Sequence, residues 1–255
     1  MKKLLTTIAL AGAIITGAQA QSVLITEINS NGTGGDFFEL YNYGGSTIDL
    51  AGYRWTDNSA PAWDGASTYT LNTFSLAPGQ AAVFMADGGT NGAGNAAFVT
   101  NWGSPLTLSA MGGFTGPGTG RGLGQNDAVL LWDPTGLFVS GVNYSTSNLT
   151  VTSVGGTNAL APFNRVGGGT SAGGHAGSAG GGTPTQSLIW DPTSDPTAPL
   201  YTAASSVGLY GSFANAASAT TIGSPSIVPE PSTYALLALA GAGLAAYRLR
   251  RRARR

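Results

Sequence analysis

Residues 23–53 read VLITEINSNGTGGDFFELYNYGGSTIDLAGY. Two runs in this stretch, Val23 to Ile28 and Phe37 to Tyr41, set branched, aromatic and leucine side chains beside single polar ones. Such runs make strands, because these side chains pack well on a pleated surface and alternate residues point to opposite faces. Asn31-Gly32-Thr33-Gly34-Gly35 separates the runs, and Asn42 to Ser46, with Gly44-Gly45, follows them. Glycine and asparagine supply the backbone conformations that turns require. Ile48, Leu50 and Tyr53 then resume the alternation. This is the pattern of strands joined by tight turns.

The same pattern continues outward. Ala81 to Ala86 follows the turn Ala77-Pro78-Gly79, and Ala128 to Trp132 precedes the turn Asp133-Pro134-Thr135-Gly136. Leu137 to Tyr144 closes the clear series. Short strands separated by turn signals every eight to twelve residues or so point to an all-β sandwich or barrel. No window of the body carries a sustained 3.6-residue apolar stripe, so helix is expected only at the two ends.

Composition narrows the function. The 255 residues include 40 Gly and 13 Pro, and only 9 % are charged, yet 42 % are hydrophobic. That apolar fraction can build a core and argues against wholesale disorder. The glycines lack the period of three that collagen needs. There is no cysteine, which excludes disulfides and thiolate metal sites. A single histidine, His175, excludes a two-histidine metal site within one chain.

The charges are segregated. Lys2 and Lys3 open the chain, and Arg248, Arg250, Arg251, Arg252, Arg254 and Arg255 close it. Between Gln21 and Val228, three arginines face eleven acidic residues, a balance of −8. Such a body has no basic footprint for nucleic acid, whose binding rests on phosphate neutralisation.

Both ends read as addresses. After Lys2 and Lys3 come an apolar run, Leu4 to Gly17, and the small-residue site Ala18-Gln19-Ala20 before Gln21. This is the anatomy of a secretory signal peptide over residues 1–20, too short to span a bilayer. The mature chain is expected to begin at Gln21, outside the cytoplasm. At the other end, Pro229-Glu230-Pro231 precedes an uncharged segment, residues 233–247, and the arginine cluster. An apolar helix of this length reaches about 22 Å, marginal for a hydrocarbon core of about 30 Å. Arg248, Arg250, Arg251 and Arg252 would stop it in the membrane with the basic stub on the cytoplasmic side. The two prolines disfavour helix and keep the motif extended at the membrane face.

That tripartite order (Pro229-Glu230-Pro231, apolar helix, terminal arginines) resembles the PEP-CTERM sorting signal of Gram-negative bacteria. The resemblance implies that an exosortase in the inner membrane cuts near the motif and releases the protein to the surface or matrix. Several body segments, in order, also resemble the lamin-tail domain, an immunoglobulin-like sandwich. They are Ile25-Thr26-Glu27-Ile28, Phe38-Glu39-Leu40-Tyr41-Asn42 and Ile48-Asp49-Leu50-Ala51-Gly52-Tyr53. Further along stand Leu76-Ala77-Pro78-Gly79, Asn126 to Leu131, Val142-Asn143-Tyr144 and the closing Ile222-Gly223-Ser224-Pro225. The expected fold is therefore an immunoglobulin-like β-sandwich over residues 21–226, with a signal helix before it and a sorting tail over 227–255. From Ser145 to Thr221 the chain departs from a compact member of the family, and Gly167 to Gly182 holds nine glycines, as a flexible insertion would.

Candidate chemistry is sparse. His175 lies in the glycine-rich run with no group to orient it as a base. Glu27 and Glu39 could form the paired carboxylates of a glycosidase. Their place in lamin-tail segments favours structural carboxylates that accept hydrogen bonds. Asp87 to Gly92 has oxygen ligands at loop spacing but lacks the full calcium-loop ladder, and Gly120 to Gly124 lacks the features of a phosphate loop. Trp55, Trp63, Trp102, Trp132 and Trp190 could stack on sugars but belong more naturally to a core. Asn31, Asn143 and Asn148 begin glycosylation sequons. The reading is a non-catalytic exported surface or matrix protein with no cofactor and no metal. Its partners are the secretion machinery, an exosortase, transiently the inner membrane, and extracellular polysaccharide as candidate ligand. The alternatives are a permanently tail-anchored periplasmic protein and an acidic-pair polysaccharide hydrolase.

Overall fold

The computed structural model describes residues 22–30, 35–57, 62–66, 68–86, 95–116, 122–124, 127–145, 148–160 and 186–225. The first strands are β1 Val23–Asn29, β2 Phe37–Asn42, β3 Ile48–Asp49, β4 Arg54–Thr56, β5 Tyr69–Leu71, β6 Ser75–Leu76 and β7 Ala81–Met85. A helix, α1 Asn95–Trp102, precedes β8 Phe114–Thr115, β9 Ala128–Trp132, β10 Phe138–Asn143, β11 Leu149–Ser153 and β12 Gly156–Leu160. The last strands are β13 Leu188–Trp190, β14 Tyr201–Ala203, β15 Phe213–Asn215 and β16 Ser218–Gly223.

Two five-stranded sheets form, ordered β14-β13-β1-β2-β7 and β10-β9-β4-β5-β8, with antiparallel ladders throughout. Alternation along the strands decides what lies between them. Ile25, Ile28, Phe38, Leu40, Ala82 and Phe84 of the first sheet meet Trp55, Leu71, Phe114, Val129, Leu131 and Val142 of the second. Trp55 is central, with ring centroids 4.7 Å from Phe38, 5.1 Å from Tyr69 and 5.1 Å from Phe114. This is the expected sandwich.

The outer faces are covered as well. Phe37 and Val83 point away from the sandwich interior into a second cluster with Phe98, Trp102, Leu106 and Met111, and Phe213 packs against it. Phe98 and Trp102 are four residues apart, so one face of α1 supplies both. On the second sheet, Ala128, Leu130 and Trp132 pack against Val151 of the β11–β12 hairpin. Strands β1, β2 and β9 are consequently buried along their whole length.

Helix is therefore not confined to the ends. α1 has eight residues, less than the window over which a helical stripe can be recognised in sequence, and its stability comes from packing Phe98 and Trp102 onto the sheet. The chain beyond the glycine-rich run also joins the sandwich. β13 pairs with β1 in the register Glu27↔Ile189 and Ile28↔Leu188, which makes β1 an interior strand. The run itself, residues 167–182, lies outside the described residues, as do His175 and residues 87–94.

Candidate functional site: a buried carboxylate pair and the route to the tail

Between Ile25 and Glu27 the β1–β2 ladder shifts register. An extra residue in one strand leaves backbone groups unpaired and re-aims the side chains around it. Here the Ile25 N–H donates to Ser140 Oγ (3.2 Å), and the Ile25 carbonyl accepts from the Tyr201 hydroxyl (2.7 Å). The second sheet and the β13–β14 hairpin thus satisfy the bulge between them. Past it, Glu27 and Glu39 stand directly opposite each other on the outer face of the sheet, beneath the covering layer.

Both carboxylates are buried, at 0 % and 1 % exposure. Glu39 Oε1 accepts from Thr26 Oγ1 (2.6 Å). Glu27 reaches the end of the body: Oε1 accepts from the Ser224 N–H (2.9 Å) and Oε2 from the Ser224 hydroxyl (3.2 Å). Burial pushes the Glu27 acid up to about 7, while the Ser187 hydroxyl and the Ser224 N–H and hydroxyl pull it back. Gly223 permits the approach. A Cβ there would lie 2.5 Å from Glu27 Oε1, 2.5 Å from Ser187 Oγ and 2.8 Å from the Trp102 ring.

This arrangement binds backbone rather than substrate. The carboxylates are sealed beneath protein and engaged by side chains and main chain of the body, as expected of structural acids. The tryptophans do not form a platform. Trp55, Trp102 and Trp132 belong to three different clusters, Trp190 donates to Ser194 Oγ (2.9 Å), and Arg54 stacks on Trp63 at 5.4 Å. Asn143 is buried, its amide donating to the Leu160 carbonyl (2.9 Å), so this sequon is inaccessible. Asp36 Oδ2 accepts from the Leu123 N–H (2.6 Å), and Asp127 accepts from the Gly124 and Ala128 N–H groups. Burial first, then Asp127, Asp36 and Asp57, raise the nearby Tyr144 phenol. Among the described residues, no group of three ligand-type side chains could hold a metal ion.

Sequence reading missed the partners of Glu27, because Ser224 lies 197 positions away. It read the turn at Asp133 but missed that the same signal recurs twice more. Asp-Pro-Thr occurs at 133–135, 191–193 and 195–197, and each Asp Oδ1 accepts from the Thr N–H and hydroxyl two residues on. The sorting-stage residues lie outside the described residues: Ala18, Ala20 and Gln21 at one end, Pro229, Glu230, Pro231 and Arg248 to Arg252 at the other. Among the described residues, no helix is long and apolar enough to cross a membrane.

A mostly β body of two packed antiparallel sheets, with its first strand held to Ser224 just beyond its last, is consistent with an immunoglobulin-like sandwich. The chain belongs to the lamin tail domain family, whose model matches residues 16–146. The PEP-CTERM protein-sorting motif matches residues 228–255. Neither family is catalytic, and the sorting motif marks an exported protein that an exosortase recognises as substrate. No curated protein matches the chain. The family match stops at residue 146, so strands β11 to β16, including those that complete the first sheet, lie beyond it.

Proposed function

We propose that the protein is a non-catalytic surface or extracellular-matrix component, made as an exosortase substrate and released once its tail is removed. The observation that carries this reading is the sorting motif over residues 228–255, directly behind a self-contained β body. In this reading, residues 1–20 are cleaved at Ala18-Gln19-Ala20 and the mature chain starts at Gln21. Residues 233–247 enter the inner membrane as an apolar helix, and Arg248, Arg250, Arg251 and Arg252 halt it, since arginine at the bilayer centre costs several kcal/mol. Pro229-Glu230-Pro231 then stands at the outer boundary, where the exosortase reads it. The released body carries a charge of about −8 by the count above and packs in, or binds, extracellular polymer, with polysaccharide as the candidate ligand.

The test is expression of wild type, Glu230→Ala and a variant with neutral residues at 248–255 in a host that carries an exosortase. Wild type should leave the membrane fraction. Glu230→Ala should stay in it, and the neutralised tail should pass through uncut. Wild type and Glu230→Ala behaving alike would contradict recognition of the motif.

A further inference from the structure

The chain leaves the body from the layer that covers β1 and β2. β16 pairs with β15 there, the Ala217 N–H donates to the Asn101 carbonyl of α1 (2.9 Å), and Glu27 holds Ser224. Pro225, the last described residue, is buried. Only Ser226, Ile227 and Val228 separate it from Pro229. Four residues of extended chain reach at most about 14 Å. A domain of about 200 residues has a radius of gyration near 17 Å. Whatever holds Pro229 at a membrane therefore brings the layer around Pro225 to the same surface.

The chemistry of that layer suits the position. Residues 95–116 and 205–225 contain no Asp, Glu, Lys or Arg, and all eleven acidic residues between Gln21 and Val228 lie elsewhere. Anionic headgroups repel an acidic surface and leave an uncharged one indifferent. Among the described residues, four large hydrophobic side chains have high exposure. Leu108 (57 %) and Val207 (62 %) fall in these charge-free segments, and Leu137 (42 %) and Val154 (58 %) lie outside them. It is therefore the short tether and the lack of charge that single out this layer.

We propose that the uncharged layer of α1, the turn at Leu108–Ala110 and the β15–β16 hairpin docks the folded body on the phospholipid surface while the sorting tail is attached. The proposal rests on the reading of residues 233–247 as a membrane stop. So few apolar side chains bind weakly alone, but a short tether raises their effective concentration at the surface. Removing the tail removes the tether, and the acidic body then departs. Docking thus lasts as long as the sorting step needs it.

The chain has no cysteine, so single labels can be introduced cleanly. Full-length Leu108→Cys, Val207→Cys, Leu137→Cys and Val154→Cys would each carry a fluorophore. They would be reconstituted in phosphatidylethanolamine–phosphatidylglycerol vesicles that contain a spin-labelled lipid quencher. Quenching should be several-fold stronger at 108 and 207 than at 137 and 154. A flexible Gly/Ser insertion of about 20 residues between Ser226 and Ile227 should abolish the difference. Equal quenching at all four positions, or stronger quenching at 137 and 154, overturns the proposal. Protection of 108 and 207 that needs exosortase in the vesicles and shows no lipid quenching also overturns it, giving the face to the protease. A chain that fails to float with the vesicles overturns the membrane stop itself, and docking with it.

Discussion

At Glu27, burial favours the neutral acid while the hydrogen bonds from Ser224 favour the carboxylate, and burial wins. The consequence for pH has a definite sign. Between about 4.5 and about 7 the folded chain holds a proton that the unfolded chain releases. Stability is therefore fully present below this window, falls as pH rises through it and levels off above it. The loss is of the order of 3 kcal/mol. Glu27→Gln keeps an acceptor for the Ser224 N–H and cannot ionise, so it should flatten the profile and be the more stable form at pH 8. Urea midpoints of both proteins at pH 5 and pH 8 check this, and a wild type that gains stability toward pH 8 would contradict it. The sequence showed Glu27 in a strand beside apolar neighbours, and a structural carboxylate followed from that placement. Its partner was not legible, because nothing local links Glu27 to a serine at the far end of the chain.

At the scale of elements, strands with strong local signals were legible. β1, β2, β7, β9 and β10 fall within a residue or so of where branched and aromatic runs between turn formers put them. What escaped depends on tertiary contact. α1 holds two buried aromatics in eight residues, too little for periodicity to register. β13 is three residues long and acquires meaning only by pairing with β1. The polar members of β1 and β2, which alternation alone would turn to water, are covered by segments that no local rule sends there. The hydroxyl of Tyr201 at the start of β14 closes the β1 bulge by donating to the buried Ile25 carbonyl. Tyr201→Phe removes that donor and little volume, leaving the carbonyl unsatisfied at a cost of about 1–2 kcal/mol. Chemical denaturation should register the loss with the slope unchanged. An unchanged midpoint would mean that the bulge does not depend on the hairpin.

For the whole molecule, the division into an acidic body and two charged ends was legible from the placement of lysines and arginines alone. So was the order of motifs that the family matches bear out over residues 16–146 and 228–255, whereas the closing Ile222-Gly223-Ser224-Pro225 lies between the two matches. The extent of the body was less so, since the sandwich draws strands from both sides of the glycine-rich run. Glu27 then ties the first strand to Ser224, so the sheet is complete only when the chain has passed through to the edge of its tail. A protein built this way presents its sorting motif directly behind a finished fold. The most direct test is the intact mass of the protein recovered from the surface or medium of an exosortase-bearing host. The account predicts a chain that begins at Gln21 and lacks the segment from the sorting motif's cleavage point through the six terminal arginines. A full-length tail on protein retained in the membrane fraction would contradict it.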